Sequence, residues 1–215
     1  MSLRPAPDAP PPLLRTTATR AERGSFAAHG HTRLPGLWDR ALAEGLAAEG
    51  RERWARAAPP PRGPRTPVPA GRSARRATPA AGGPLLARVH LALTGLGRAL
   101  TGRLLVPTFA AYGYYEDDDE VLLHVDTEQC DLTLLTTAFG AVGPLHVHPA
   151  LRGSSMERLG VLERDPAWDR AGGVRLTYPA TGVAALDGRT LPHHRPAGPL
   201  PGPSAVAALC YRSLF

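Results

Sequence analysis

The sequence predicts a mainly β domain, an antiparallel sandwich or barrel, preceded by helices and an Arg/Pro-rich region. At least seven short apolar segments follow one another after Gly102, separated by turn residues and with no helix between them. Just upstream, Leu85, Val89, Leu93, Leu96 and Leu100 recur at the spacing of a helix packed on one face. The 23 Gly and 24 Pro are too many for an unbroken compact domain and point to long irregular stretches.

Residues 1–33 are rich in Pro, Arg, Ala and Thr without periodicity, and are expected to be disordered or loosely attached. Within 34–83, Leu37, Trp38, Leu42, Leu46 and Trp54 describe an amphipathic helix that ends near Ala57. The Pro/Arg-rich stretch 58–83 cannot continue it and reads as a linker or a draped loop. Residues 84–215 hold the second helix, closed by Gly102, and then the strands LLVPTFAAYGYY, VLLHVDT, DLTLLTTAF, GPLHVHP, GVRLTYP, TGVAALDG and SAVAALCYR. The acidic run Glu116 to Glu120 falls between two of them, as a solvated hairpin turn would.

Charge divides the chain. All 25 basic residues are arginine, 17 of them before residue 107, so the net +6 belongs to the N-terminal half while the strand region is acidic. Aromatic residues are not interleaved with those arginines as a nucleic-acid stacking surface requires; a solvated arm is expected instead. No apolar run reaches membrane-spanning length, and the first 20 residues lack a signal-peptide core. The expectation is a cytoplasmic protein without membrane or nucleic-acid partners, its two cysteines, Cys130 and Cys210, buried and reduced.

The residues that invite chemistry are His124 and Asp126. On a strand, positions i and i+2 share a face about 7 Å apart, so this imidazole and carboxylate point the same way. Two ligands from one strand and a histidine from another would make the two-His, one-carboxylate facial set that leaves three positions open on Fe(II). His146 and His148 form a second same-face pair.

From Leu86 onward the chain resembles the Fe(II)- and 2-oxoglutarate-dependent oxygenases, in their prolyl-hydroxylase-like branch. The likeness lies in an ordered set: GRALTGRLLVPTF, the tyrosine strand AAYGYY, LLHVD, EQCDLTLLTTAF, GPLHV and GVAALDGRTLPHHRP. It implies a double-stranded β-helix (jelly-roll) with N-terminal packing helices, and a hydroxylase using Fe(II), dioxygen and 2-oxoglutarate as cosubstrate. The substrate would be a small molecule or peptide: an amino-acid-like group, free, peptidyl or within a natural product. His124 and Asp126 become the first two metal ligands. The third is His193 or His194, with His193 preferred because it directly follows a proline and stands two before an arginine. Tyr112 or Tyr114 would contact the cosubstrate carboxylate.

One departure matters. The family places an Arg or Lys roughly ten residues after the distal histidine, where Pro203 and Ser204 stand here. An arginine elsewhere must replace it: Arg175, Arg189, Arg195 or Arg212, with Arg212 discounted for distance and Ser204 able to offer a hydroxyl. Two other functions stay open, a non-catalytic jelly-roll binding module and a cupin-type metal enzyme using His146 and His148. The cupin pattern lacks its glutamate after the second histidine, where Arg152 and Gly153 stand.

Overall fold

A computed structural model describes residues 14–56, 66–68, 72–76, 78–116, 119–169 and 172–215. In chain order the elements are α1 (Arg20–His29), β1 (His31–Leu34), α2 (Arg40–Arg56), β2 (Thr66–Val68), β3 (Arg72–Arg76), β4 (Thr78–Ala81), α3 (Pro84–Ala92) and α4 (Thr94–Thr101). There follow β5 (Leu105–Tyr115), β6 (Asp119–His124), β7 (Leu132–Phe139), β8 (Leu145–Val147), α5 (Met156–Arg164), β9 (Val174–Leu176), β10 (Val183–Leu186), β11 (His193–Arg195) and β12 (Ser204–Ser213). Two six-stranded sheets result. The major one runs β1-β10-β7-β12-β5-β4 and the minor one β2-β3-β6-β11-β8-β9. Every pairing is antiparallel except β3 with β6.

Strand alternation builds two cores from the major sheet. Tyr112, Tyr114, Leu132, Leu134, Val183, Ala185, Ala207 and Leu209 face the helices, where Leu42, Leu46, Leu86, Leu93 and Leu96 cover them. Their neighbours on the same strands, including Tyr115, Leu135, Ala184, Leu186 and Val206, face the minor sheet and meet Leu145 and Val147. With both faces covered, β7 and β10 are buried nearly throughout, which explains their continuous apolar runs. The predicted helix stripe is two helices that meet at Leu93; Gly102, at φ 70°, ends the second by donating its N–H to Arg98 O.

Several expectations are corrected. Residues 14–33 are not loosely attached. Thr19 and Glu22 form a capping box at α1, and Glu22 pairs with Arg15 at 2.8 Å, which holds its carboxyl down at about 2. β1 then pairs with β10 along all four residues, closing the major sheet's edge. Residues 1–13 lie outside the described part, as does most of the stretch 57–71; within 66–81 the chain adds strands β2, β3 and β4, where a linker was expected. A helix, α5, interrupts the strand succession after β8. The cysteines are not reduced thiols: Cys130 and Cys210 are joined in a disulfide, their Cα atoms 4.7 Å apart. The placement follows from register, because Cys210 pairs with Thr133 on β7 and so lies beside the turn that carries Cys130. Disulfides of this kind are rare in the reducing cytosol.

Candidate metal centre

The minor sheet brings the ligand set together by pairing β11 with β6. His193 stands opposite His124 in that ladder, and Arg195 opposite Val121. Asp126 lies just past the end of β6, its N–H donating to Gly188 O at 2.8 Å. Its Oδ1 is 3.5 Å from His124 Nε2 and 3.6 Å from His193 Nε2. The three ligand atoms lie within 4.8 Å of one another, the single such His/Asp/Glu/Cys group among the described residues.

Both imidazoles are oriented in the same way. Nδ1 of His124 lies 2.8 Å from Leu122 O, and Nδ1 of His193 lies 2.9 Å from Leu191 O. A carbonyl can only accept, so Nδ1 carries the proton in each ring and Nε2 is left with its lone pair toward the centre. Burial alone would raise the carboxyl of Asp126, yet the adjacent His193 and His124 hold it well below the usual carboxylate range. Burial likewise opposes charge on His124, but the bond and charge of Asp126 prevail and raise it. Two imidazole nitrogens and a carboxylate oxygen facing one point, without a thiolate, suit Fe(II) with open positions.

The group opens into a cavity of about 200 Å³, with Val121, Leu135, Leu145 and Val206 in its wall and Arg195 alongside. His193 and Arg195 share a strand face, so the arginine follows from the same alternation. It is 5% exposed, its Cζ lies 4.1 Å over the Tyr115 ring, and one terminal nitrogen donates to Tyr178 Oη. Among the described residues, its Nε and Nη1 are buried without a hydrogen-bond acceptor. Buried guanidinium N–H groups left unpaired are costly, and a planar carboxylate is the acceptor whose fork matches them. The same cavity therefore offers a His-Asp-His group that could hold a metal ion and a buried cation beside it.

The other expected residues sit elsewhere. His194 points to the opposite side of the sheet, where its Nδ1 is 2.9 Å from His148 Nε2 and Trp168 packs 5.4 Å away. His146 and His148 are on that outer face too, since Leu145 and Val147 take the inner one; both are buried, and among the described residues no three-ligand group of the cupin type forms there. Tyr112 and Tyr114 face the helices: Tyr112 donates to Glu49 and Tyr114 to Gly50 O. Tyr115, of opposite parity, is the tyrosine in the cavity. Arg175 is exposed on the edge strand β9. Arg189 is exposed, 3.4 Å from Asp131, and Arg212 is exposed near the end of β12. Ser204 accepts from Ala141 N–H and donates to Gly202 O, so its hydroxyl holds a turn and not a ligand. Thr133, Tyr115 and Tyr178 were not anticipated; parity along AAYGYY would have found Tyr115, but nothing local marks the other two.

Neither a family model nor any curated protein matches the sequence. Solved structures do match the fold. SnoK, a non-haem α-ketoglutarate-dependent carbocyclase of nogalamycin biosynthesis, superposes with a TM-score of 0.69 at 15% identity, over 91% of this chain and 84% of its own. EctD from S. alaskensis, with 2-oxoglutarate and 5-hydroxyectoine, gives 0.65 at 19% identity, over 100% and 88%. HygX from Streptomyces hygroscopicus, with nickel and 2-oxoglutarate bound, gives 0.64 at 16%, over 93% and 88%. The fold is the jelly-roll of the 2-oxoglutarate-dependent non-haem iron enzymes. At these identities the likeness is one of fold, and the chemistry must be argued from this chain's residues.

Proposed function

We propose that the protein is a non-haem iron oxygenase that couples decarboxylation of 2-oxoglutarate to oxidation, most simply hydroxylation, of a small-molecule or peptidyl substrate. The observation that carries this is the convergence of His124 Nε2, Asp126 Oδ1 and His193 Nε2 on one point, with Arg195 in the same cavity. The order of sequence features supports a reading within the prolyl-hydroxylase-like branch. Substrates with amino-acid or natural-product character are in keeping with the company of the fold, HygX having been solved with hygromycin B.

His124, Asp126 and His193 would hold Fe(II) on one face, their rings locked by Leu122 O and Leu191 O. Arg195 would receive the far carboxylate of 2-oxoglutarate on its unpaired N–H groups, in the role the family gives to a basic residue near Ser204. Bound together, Fe(II) and 2-oxoglutarate supply the activation of dioxygen, with succinate and carbon dioxide as coproducts. The apolar wall of Leu135, Leu145 and Val206 would lower the polarity of that space, and the buried cation would offset cosubstrate charge in it. Arg195 places in the cavity a cation of the kind missing near Ser204, which favours the catalytic reading over a non-catalytic binding module.

The test is anaerobic addition of Fe(II) and 2-oxoglutarate, followed by visible charge-transfer absorption, then succinate release once air is admitted. Wild type develops the band and makes succinate; Asp126→Ala does neither. A wild-type protein without band or succinate above the Asp126→Ala background is not this kind of enzyme.

A further inference from the structure

The two oxygens of Asp126 live in different surroundings. Oδ1 faces both histidines at 3.5 and 3.6 Å. Oδ2 turns away and accepts a 2.5 Å hydrogen bond from Thr133 Oγ1. That hydroxyl comes from the opposite sheet, on β7, and its residue is only 4% exposed. Cys210 Sγ lies 3.8 Å behind it, so the disulfide packs against the donor. Gly188 closes the third side. A Cβ there would collide with Asp126 Oδ2, and would stand 2.5 Å from Cys130 O and 2.7 Å from Thr133 Oγ1. The space around Oδ2 is therefore filled by donor and backbone, with no room for a methyl group.

Resting on the metal centre proposed above, we infer that Thr133 is a positioning residue that makes Asp126 a one-oxygen ligand. A carboxylate free to swing can bind a metal through both oxygens. With two histidines that would occupy four of six positions, leaving two. Chelation by a 2-oxo acid takes two and dioxygen needs one more. By engaging Oδ2, the Thr133 hydroxyl reserves that third open position. It also fixes the carboxylate torsion before the metal arrives, which favours loading. A one-oxygen carboxylate is a general feature such a centre needs; the assignment of that task to Thr133, across the barrel and against the disulfide, is specific to this chain.

The experiment uses the full chain and Mn(II) as probe, with affinity measured by calorimetry on metal-free protein. Thr133→Val keeps the shape and removes the donor, and should weaken Mn(II) binding about ten- to a hundredfold. Thr133→Ser restores the hydroxyl and should return to within about threefold of wild type, a rescue that a packing role for the methyl group would not produce. Gly188→Ala leaves the hydroxyl but crowds Oδ2, and should weaken binding as well. A readout on wild type needs no variant: the metal-bound minus metal-free infrared spectrum should show the wide carboxylate splitting of one-oxygen coordination. Narrow, two-oxygen splitting overturns the inference, as does Thr133→Val binding Mn(II) like wild type. Failure of wild type to bind Mn(II) at all would instead remove the metal centre, and this role with it.

Discussion

Strand β11 carries histidines on both of its faces, and the two faces keep different company. Inward, His193 meets His124 and the carboxylate of Asp126; outward, His194 meets His146, His148 and Trp168. On the inner face each imidazole is tied at Nδ1 to a backbone carbonyl and keeps Nε2 for the centre. On the outer face imidazole is bonded to imidazole, at 2.9 Å between His148 and His194. That bond needs one ring as donor and the other as acceptor, so the two cannot both be cationic. Burial, then the neighbouring His146 and His193, push His148 down from its ordinary value. Histidine count is thus a poor guide to a metal site. What marks the inner face as a candidate centre is its geometry: both rings lie within 3.6 Å of one carboxylate oxygen and each second nitrogen has a backbone partner.

The sharpest way to break this comparison is to remove one residue from each face. Asp126→Ala should abolish measurable Mn(II) binding, a loss beyond the ~10–100-fold typical of an outer hydrogen-bond partner. His148→Ala should leave Mn(II) affinity within about threefold while costing some packing against Trp168. Equal losses from the two variants would mean that the outer cluster takes part in metal binding.

The inner face also has a covalent brace that the outer one lacks. The Cys130–Cys210 bond spans 80 residues and ties the turn after Asp126 to β12. In the chain-entropy view a loop of that size is worth about 4.5 kcal/mol of folding free energy. Cys130→Ala/Cys210→Ala should lower the free energy of urea unfolding by roughly that amount, and a reductant should do the same to wild type. If reductant leaves the unfolding midpoint of wild type unchanged, the brace is absent in solution.

Arg195 gives a smaller and more selective effect. Arg195→Met should cost 2-oxoglutarate about 2 kcal/mol of binding, within the range for a hydrogen bond to a charged group. Mn(II) affinity should hold. Metal-free stability should change little, because removing the buried charge is offset by losing its bond to Tyr178 and its stack on Tyr115. Calorimetry with 2-oxoglutarate on the Mn(II) form decides it: undiminished affinity would mean that another group holds the carboxylate.

Much of this was legible in the sequence, and what was missed has a common cause. The triplet at His124 and the strand-length apolar runs carry local periodicity, so same-face placement follows from strand geometry alone. The choice between His193 and His194 depends on which face of β11 turns inward, and that is fixed by pairing with β6, far away in sequence. Arg195 then follows by parity, whereas Tyr112 and Tyr114 fail by the same rule: the helices α2 and α3 bury that face of β5. The strands β1 to β4 lie in Arg/Pro-rich sequence with little apolar alternation, so only their pairing partners make them strands. Thr133 and the disulfide are long-range contacts with no local mark at all.

The smallest expected effect is in pH, and its sign separates the faces once more. Burial lowers His124 and Asp126 raises it, with a net raised value against an ordinary 6.5. In the metal-free protein the stability gained from charging His124 is complete below its unfolded value and is lost as pH rises through the higher folded one. Asp126, held low, contributes stability above the unfolded carboxylate value, lost only in strong acid as pH falls through its folded one. Metal requires the neutral imidazole, so loading runs opposite to the His124 term: Mn(II) affinity should climb with pH, through a window above 6.5, releasing a proton as it binds. His148→Gln, on the far face, should leave that window in place. Asp126→Asn should bring the titration of His124 in the metal-free protein down, because burial then acts without its opponent. An NMR titration of the histidine ring protons reads both variants, and a His124 that titrates below 6.5 in metal-free wild type would contradict the coupling drawn between it and Asp126.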